Sequence, residues 1–399
     1  MKHARASVRP VEAPGQGPER SDAGFGLYLH WPFCEAKCPY CDFNSYVARE
    51  IDERRWADAF VSEVARVGAL TRGRNLGSVY FGGGTPSLMS PDSVDRILSS
   101  IRQTWRCDDE IEITLEANPS SVEAGRFKGY VGAGVNRFSI GVQALNEPDL
   151  KKLGRLHSAR EALQAIDIAR SLVSRVSFDL IYARQHQSAA DWRSELLQAL
   201  SFDPDHLSLY QLTIEDGTAF GARHRSGKLS GLPDADLSAD LFEMTQETCD
   251  AAGLPAYEIS NHARPGAEGR HNLVYWRYGD YLGVGPGAHG RCTISGAHKA
   301  TRAEPVPLRW LAEVEAGHGR HEATEDLKPS DQGAEYLMMS LRLREGTSLT
   351  RYRELSGTDL PESAIGRLMS DQLVWKSGSR IGTTPRGQML LNAVLRELL

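Results

Sequence analysis

Apolar positions along this chain alternate between two rhythms. Short runs at 27–30, 78–81, 111–116, 137–143, 176–182 and 206–212 are rich in β-branched and aromatic residues. In 111–116, Ile111, Ile113 and Leu115 alternate with Glu112, Thr114 and Glu116, the period of a strand. Between these runs lie stretches with helical spacing, near 51–71, 91–105, 121–132, 158–172, 190–200 and 234–252. In 158–172, Ala162, Ile166 and Ala169 fall on one face, and Ser158 with Glu161 forms a capping box. Strand–helix repetition of this kind predicts βαβ units and a parallel sheet, hence an α/β fold. Six units can be counted. A closed eight-fold barrel needs two more, so the pattern predicts an open six-unit (βα)6 partial barrel over residues 21–254.

The rhythm changes after about residue 255. Residues 257–262 read as one more strand, followed by the Gly-rich run Tyr281-Leu282-Gly283-Val284-Gly285-Pro286-Gly287-Ala288. An apolar-striped helix is expected over 331–344, a hairpin around Ser377-Gly378-Ser379, and a helical run at 385–398. Residues 255–399 are therefore expected to form a smaller α+β, winged-helix-like C-terminal domain. No basic stripe accompanies it, so nucleic-acid binding is not expected. Residues 1–20 are basic and contain Pro and Gly but no apolar stretch; they read as a disordered tail without a secretory signal.

Composition narrows the picture little. The 399 residues are 41% hydrophobic and 25% charged, with a net charge of −6, which argues against a general polyanion-binding surface. No apolar run reaches the ~18 residues of a transmembrane span. Cys107, Cys249 and Cys292 are isolated and read as packing residues. The other three cysteines are clustered, which reads as reduced thiols at a metal site in a reducing, cytoplasmic setting.

Those three, Cys34, Cys38 and Cys41, have the spacing C-x-x-x-C-x-x-C on one short stretch. Soft thiolates select zinc, copper(I) or iron–sulfur. Zinc could be completed by His30, but no second ligand pair follows, as structural zinc sites usually require. A [4Fe–4S] cluster is ordinarily held by four cysteines. With three, one iron stays open for chemistry. The cysteine loop follows the first predicted strand, Gly82–Gly84 end the second, Glu116 ends the third, Gln143 ends the fourth, and Asp179 lies in the fifth. Barrel enzymes build their sites at this end of the strands.

The cysteine spacing, Tyr28 six residues ahead of Cys34, and Gly82-Gly83-Gly84-Thr85-Pro86 together resemble the radical S-adenosylmethionine (SAM) superfamily. The resemblance narrows to the group that holds the anaerobic coproporphyrinogen III dehydrogenase and the HemW-type heme chaperones, and covers roughly residues 24–390. It implies that Cys34, Cys38 and Cys41 ligate a [4Fe–4S] cluster whose open iron chelates SAM. It implies further that Tyr28, Tyr40, Gly83, Gly84, Thr85, Glu116, Gln143, Arg155, Asp179 and Thr213 line the SAM pocket. Glycines without Cβ atoms would let backbone approach the methionyl group, and Arg155 could pair with a carboxylate. The string His271-Asn272-Leu273-Val274-Tyr275-Trp276 resembles the HNxxYW motif associated with heme binding, with His271 a candidate axial ligand and Tyr275 and Trp276 flat faces for a porphyrin. Taken without the resemblance, those six residues read as a buried aromatic pair with a hydrogen-bonded histidine. Cys34, Cys38, His30, His262 and His289 stay open as other ligands.

Two departures matter. The dehydrogenase carries a further cysteine two residues after its third cluster ligand, where this chain has Phe43; this favours the chaperone branch. The Gly-Leu-Pro turn usual in relatives is replaced by Ala183-Arg184-Gln185-His186-Gln187. The expected function is a heme chaperone that delivers heme to apoproteins such as respiratory enzymes, with docking to a membrane at most peripheral. The alternative is the dehydrogenase, and a third reading is a zinc-stapled structural protein.

Overall fold

The computed structural model describes residues 23–318 and 321–399. The tail expected at 1–20 lies outside them. Six parallel strands follow the predicted rhythm: β1 (Phe25–Trp31), β2 (Asn75–Gly83), β3 (Arg106–Ala117), β4 (Arg137–Gln143), β5 (Arg175–Tyr182) and β6 (His206–Gln211). The main connecting helices are α1 (Glu53–Leu70), α2 (Pro91–Thr104), α3 (Phe127–Ala133), α4 (Ala159–Leu172), α5 (Ala189–Ser201) and α6 (Ala235–Ala251). Their starts are chemically marked. Asp52 caps α1, Ser90 followed by Pro91 opens α2, and the capping box of Ser158 and Glu161 opens α4. Outward residues of the strands pack on these helices. Leu27, Leu29 and Trp31 meet Trp56, Phe60 and Val64 in one continuous core. The inward residues of β2 to β6 share a single cavity, so the sheet curls into an open partial barrel.

The main sheet does not stop at the sixth strand. β7 (Asn261–Ala263) adds antiparallel to β6, so the predicted strand at 257–262 is shorter and later than its pattern suggests. At the other edge β8 (Asp280–Val284) runs parallel to β1, and β9 (His289–Ile294), β10 (Ala297–Ala303) and β11 (His321–Asp326) follow as antiparallel hairpins. The order is β11-β10-β9-β8-β1-β2-β3-β4-β5-β6-β7. Contacts divide the described residues into one unit at Ala23–Lys328 and another at Pro329–Leu399, whereas the sequence pattern placed the change near residue 255. The helix α7 (Arg270–Trp276), which carries the HNxxYW string, belongs to the first unit.

The second unit contains helices Pro329–Ser340, Leu349–Ser356 and Glu362–Ser370 and a three-stranded sheet. The predicted hairpin is present as Val374–Ser377 and Arg380–Thr383, and two helices, Pro385–Met389 and Leu391–Leu398, complete a winged-helix-like arrangement. Among the described residues no helix is long and apolar enough to cross a membrane. Cys249 and Cys292 are buried and Cys107 half-buried, and none of the six cysteines forms a disulfide.

Candidate functional site

The loop after β1 is closed at its base. Phe33–Cys34 pairs with Tyr46–Val47, the Tyr46 amide donates to Pro32 O at 2.8 Å, and the Ala48 amide donates to Cys34 O at 3.2 Å. The Cys41 amide donates to Cys38 O at 3.1 Å, and the Lys37 ammonium donates to Ser45 O at 3.2 Å. This turn carries all three thiols of the motif. Each meets a polar partner: the Thr85 hydroxyl donates to Cys34 Sγ at 3.4 Å, the Arg155 guanidinium donates to Cys38 Sγ at 3.5 Å, and Ser45 Oγ lies 3.8 Å from Cys41 Sγ. Burial raises the Cys34 and Cys41 thiols above their ordinary range. The Thr85 and Ser45 hydroxyls act against that rise, because a hydrogen bond to the sulfur favours the thiolate.

The glycine run holds this loop in place. Gly83 has φ +111°, and a Cβ there would stand 2.7 Å from the His30 ring; a Cβ on Gly84 would stand 2.6 Å from Phe33 O. With neither Cβ present, the Gly84 amide donates to Trp31 O at 2.7 Å and the Thr85 amide to Phe33 O at 2.8 Å. The end of β2 is thereby sewn to the root of the cysteine loop. Close approach is the reason for glycine here, as expected, but the backbone that approaches is the protein's own.

His30 does not turn toward the thiols as a zinc ligand would. Its Nε2 lies 2.9 Å from Asn44 O, so that nitrogen carries the proton, and its Nδ1 accepts from the Tyr28 hydroxyl at 3.0 Å. Both nitrogens are engaged. Among the described residues no three His, Cys, Asp or Glu side chains are grouped for a single metal ion. A wider cluster needs no such tight grouping.

The strand ends bring most of the remaining candidates to one end of the lumen. Tyr80 donates to Glu116 Oε1 at 2.8 Å, and Ser139 donates to Asp179 Oδ1 at 3.4 Å. Burial pushes the Glu116 carboxyl up to about 7 and the Asp179 carboxyl up to about 6, against the hydrogen bonds that oppose the shift. Gln143 sits at an irregularity of the β4–β5 ladder with φ +70°, an uncommon conformation for a side-chain-bearing residue. Its Oε1 is buried with no hydrogen-bond partner, and the same holds for Arg155 Nε. Arg155 also donates to Asn118 Oδ1 at 2.6 Å and to Gly141 O at 2.9 Å, so with Cys38 and Tyr40 its partners are a thiol, a phenol, an amide and a carbonyl rather than a carboxylate. Tyr40 lies beside Arg155 and Cys38, and burial raises its phenol. Thr213 stands apart, exposed in the loop beyond β6.

Sequence reasoning missed two asparagines. Asn118 links Arg155 to Thr85, donating to Thr85 Oγ1 at 3.4 Å; the Asn-Pro after β3 was its one signal. Asn44 ties the cysteine loop to the far edge of the sheet, donating to Pro286 O and Pro305 O, each at 2.9 Å. The loop at 183–187 is also ordered without its Gly-Leu-Pro turn. Ala183 and His186 take positive φ, and the buried Arg184 pairs with Asp149 at 2.9 Å and with Glu195.

The HNxxYW helix α7 reaches the lumen side of β1 and β2. His271 Nδ1 lies 2.9 Å from Ser78 Oγ, and its Nε2 lies 2.6 Å from the Tyr275 hydroxyl. Its ring stacks on Tyr80, with centroids 5.2 Å apart, and on Tyr28 at 6.4 Å. The His271 amide donates to Glu112 Oε1 at 3.1 Å, and Glu112 pairs with Arg137 at 3.1 Å, both buried. Asn272 donates to the Tyr257 hydroxyl at 3.1 Å. Burial drives the His271 imidazole down to about 3, so it is neutral. The adjoining lumen cavity measures ≈ 60 Å³, against the roughly 300–1,000 Å³ of ordinary ligand pockets.

A barrel of six parallel strands with three thiols on the loop after the first, a glycine-rich end to the second, and buried carboxyls on the third and fifth defines a radical SAM protein. The Radical SAM superfamily model matches residues 28–195, and the HemN C-terminal domain model matches 327–390. The heme chaperone HemW of Escherichia coli is 36% identical over 379 residues, covering 94% of this chain and 97% of that one. The mitochondrial radical S-adenosyl methionine domain-containing protein 1 of Mus musculus is 40% identical over 361 residues, covering 88% and 81%. The solved coproporphyrinogen III oxidase HemN of Escherichia coli superposes with a TM-score of 0.80 at 21% identity, covering 96% and 91%. The chain belongs to the HemW family within the radical SAM superfamily.

Proposed function

We propose that this protein is a heme chaperone: it holds a [4Fe–4S] cluster through Cys34, Cys38 and Cys41, binds SAM beside it, takes up heme, and passes heme to apoproteins such as respiratory enzymes. The observation that carries the cluster is the set of three undisulfided thiols on one closed turn, each with a polar partner. A cluster so held would supply an iron able to chelate the amino and carboxylate groups of SAM. The SAM pocket is supported by buried polar atoms without partners, Gln143 Oε1 and Arg155 Nε, beside the cysteine loop. Glu116 and Asp179 would orient the ligand by accepting from it, and Tyr28 and Tyr80 would wall the pocket. A reducing compartment, the cytoplasm in a bacterium, suits free thiols.

Heme uptake and transfer rest on the family and on Phe43, where the dehydrogenase has a further cysteine. The test is one anaerobic preparation examined for iron, labile sulfide, a Soret band on adding hemin, transfer of that heme to an apo-acceptor, and porphyrinogen decarboxylation with SAM and reductant. A Soret band with transfer and no decarboxylation is expected. Protoporphyrinogen formation would overturn the chaperone reading in favour of the dehydrogenase, and zinc without iron or sulfide would remove the cluster.

A further inference from the structure

The sense of a hydrogen-bond chain is fixed where one member can only donate. Arg155 is such a member, because a guanidinium has no acceptor. Its Nη1 donates to Cys38 Sγ at 3.5 Å and its Nη2 to Asn118 at 2.6 Å, so the Asn118 atom that faces it is the amide oxygen, Oδ1. The amide nitrogen then faces away, toward Thr85 Oγ1 at 3.4 Å and the buried Glu123 carboxyl. An amide nitrogen only donates. Thr85 Oγ1 therefore accepts from Asn118, and its own proton goes to its other partner, Cys34 Sγ, at 3.4 Å.

These bonds make one directed belt between two thiols: Cys38, Arg155, Asn118, Thr85, Cys34. Both sulfurs receive a donor, and Arg155 prevents the middle of the belt from reversing. The backbone pins Asn118 as well. It directly follows β3, and its amide donates to Ser87 Oγ at 3.1 Å, in the turn Pro86–Leu88 that succeeds the glycine run. Asn118 thus bridges the ends of β2 and β3, at a position that belongs to neither the cysteine spacing nor the glycine run.

Resting on the reading that Cys34 and Cys38 hold an iron–sulfur cluster, we propose that Asn118 is a positioning residue for that cluster: it aims the Thr85 hydroxyl at the Cys34 sulfur and so helps set the cluster potential in the SAM-free protein. Asn118 makes no hydrogen bond to a thiol among the described residues. It acts through Thr85 on one side and steadies Arg155 on the other. Hydrogen bonds to the sulfurs are among the factors that set a cluster's potential. They favour the reduced, more negatively charged state. Asn118→Asp keeps the shape of the side chain and replaces its donor by a second acceptor. The Thr85 hydroxyl would then turn to that acceptor, and Cys34 would lose its bond.

The experiment is a double-mutant cycle on the full-length, cluster-loaded, SAM-free protein, with the potential read by electron paramagnetic resonance at poised potentials. Thr85→Val alone should lower the reduced-to-oxidised ratio at a fixed potential about fivefold, a negative shift of about 40 mV at about 59 mV per tenfold for one electron. Asn118→Asp should shift the potential further, because it adds a charge as well as turning the hydroxyl. In the Thr85→Val background only the charge is left to act, so the Asn118→Asp shift should shrink by about the same fivefold. Asn118→Leu adds no charge and carries the test if Asn118→Asp does not load its cluster. Its shift should also be negative, and smaller in the Thr85→Val background than in the unaltered one. An asparagine that only supports the fold would give equal shifts in the two backgrounds, and that result, at unchanged iron and sulfide, overturns the assignment. Absence of iron and sulfide from the unaltered protein is a different result: it removes the cluster itself.

Discussion

The cysteine loop and helix α7 are both rich in aromatic and polar residues, and both lie against β1 and β2, yet they are built oppositely. At the loop, polar capacity is left over. Three thiols sit on one turn, and beside them Gln143 Oε1 and Arg155 Nε are buried without partners. Along α7 more of the capacity is used. Both nitrogens of His271, its backbone amide and the Asn272 side-chain amide each find a protein partner, and the Glu112–Arg137 pair anchors the helix from below. Buried polar groups without partners are costly. A protein retains them where a ligand completes them, so the loop has the properties of a socket and α7 those of a wedge. A motif's residue types alone do not distinguish the two; the hydrogen-bond accounting does.

Removing a thiol tests the socket most severely. Cys38→Ser should abolish the cluster: anaerobic material should be colourless, with iron and sulfide near background. The far-ultraviolet circular dichroism should stay that of the native fold, because the thiol is only half-buried. Full iron and sulfide content in that variant would show that Cys38 is not a ligand.

The wedge should respond in the reverse way. Glu112→Ala leaves the buried Arg137 uncompensated and frees the N-terminus of α7. Breaking one partner of a buried pair costs about 3–5 kcal/mol. Urea unfolding should show a loss of that size, while cysteine-dependent cluster assembly survives in the fraction that folds. A loss below about 1 kcal/mol would mean that α7 is held some other way.

The same contrast explains what could be read in the sequence. The barrel strands were legible because their inward and outward sides differ in polarity, as at Ile111, Ile113 and Leu115. β10 was not, because Ala297-His298-Lys299-Ala300-Thr301-Arg302-Ala303 has no large apolar residue and no alternation to detect. With it went the extension of the main sheet past residue 255. The thiols were legible because spacing alone defines them. The bonds of Arg155 were not, because a guanidinium beside a helix can reach a carboxylate, a thiol or a carbonyl equally well. Arg184 was read as part of a lost turn, and its burial between Asp149 and Glu195 depends on residues far apart in the chain.

A smaller effect separates the pocket carboxyls from the wedge. Glu116 and Asp179 bind protons more tightly in the folded chain than their ordinary values of 4.5 and 3.8, up to about 7 and about 6. Through these two groups the folded state holds more protons than the unfolded one over that window, whereas the buried imidazoles of His157, His262 and His271 act in the opposite direction. The carboxyls' contribution to stability is therefore fully present below about pH 4 and falls as pH rises toward 7, the direction given by proton linkage. Glu116→Gln should remove its share of that contribution in SAM-free protein. Urea midpoints of the variant and the unaltered chain at pH 5, 6 and 7 check it, and a difference between the two that does not change with pH would contradict the raised Glu116 carboxyl.

The mildest change sits inside the socket itself. Thr85→Val keeps the shape of the side chain and removes only the hydroxyl that donates to Cys34 Sγ. One such bond is worth about 1 kcal/mol, too little to lose the cluster, so iron and sulfide should match the unaltered protein. Hydrogen bonds to cluster sulfurs favour the reduced, more negatively charged state and so raise the potential. The variant's midpoint should move to more negative potential, on the order of tens of millivolts for a one-electron couple. Redox titration followed by electron paramagnetic resonance measures this directly. A shift to more positive potential would mean that the Thr85 hydroxyl does not point at the thiolate once the cluster is bound, and that its Asn118 contact is the one that counts.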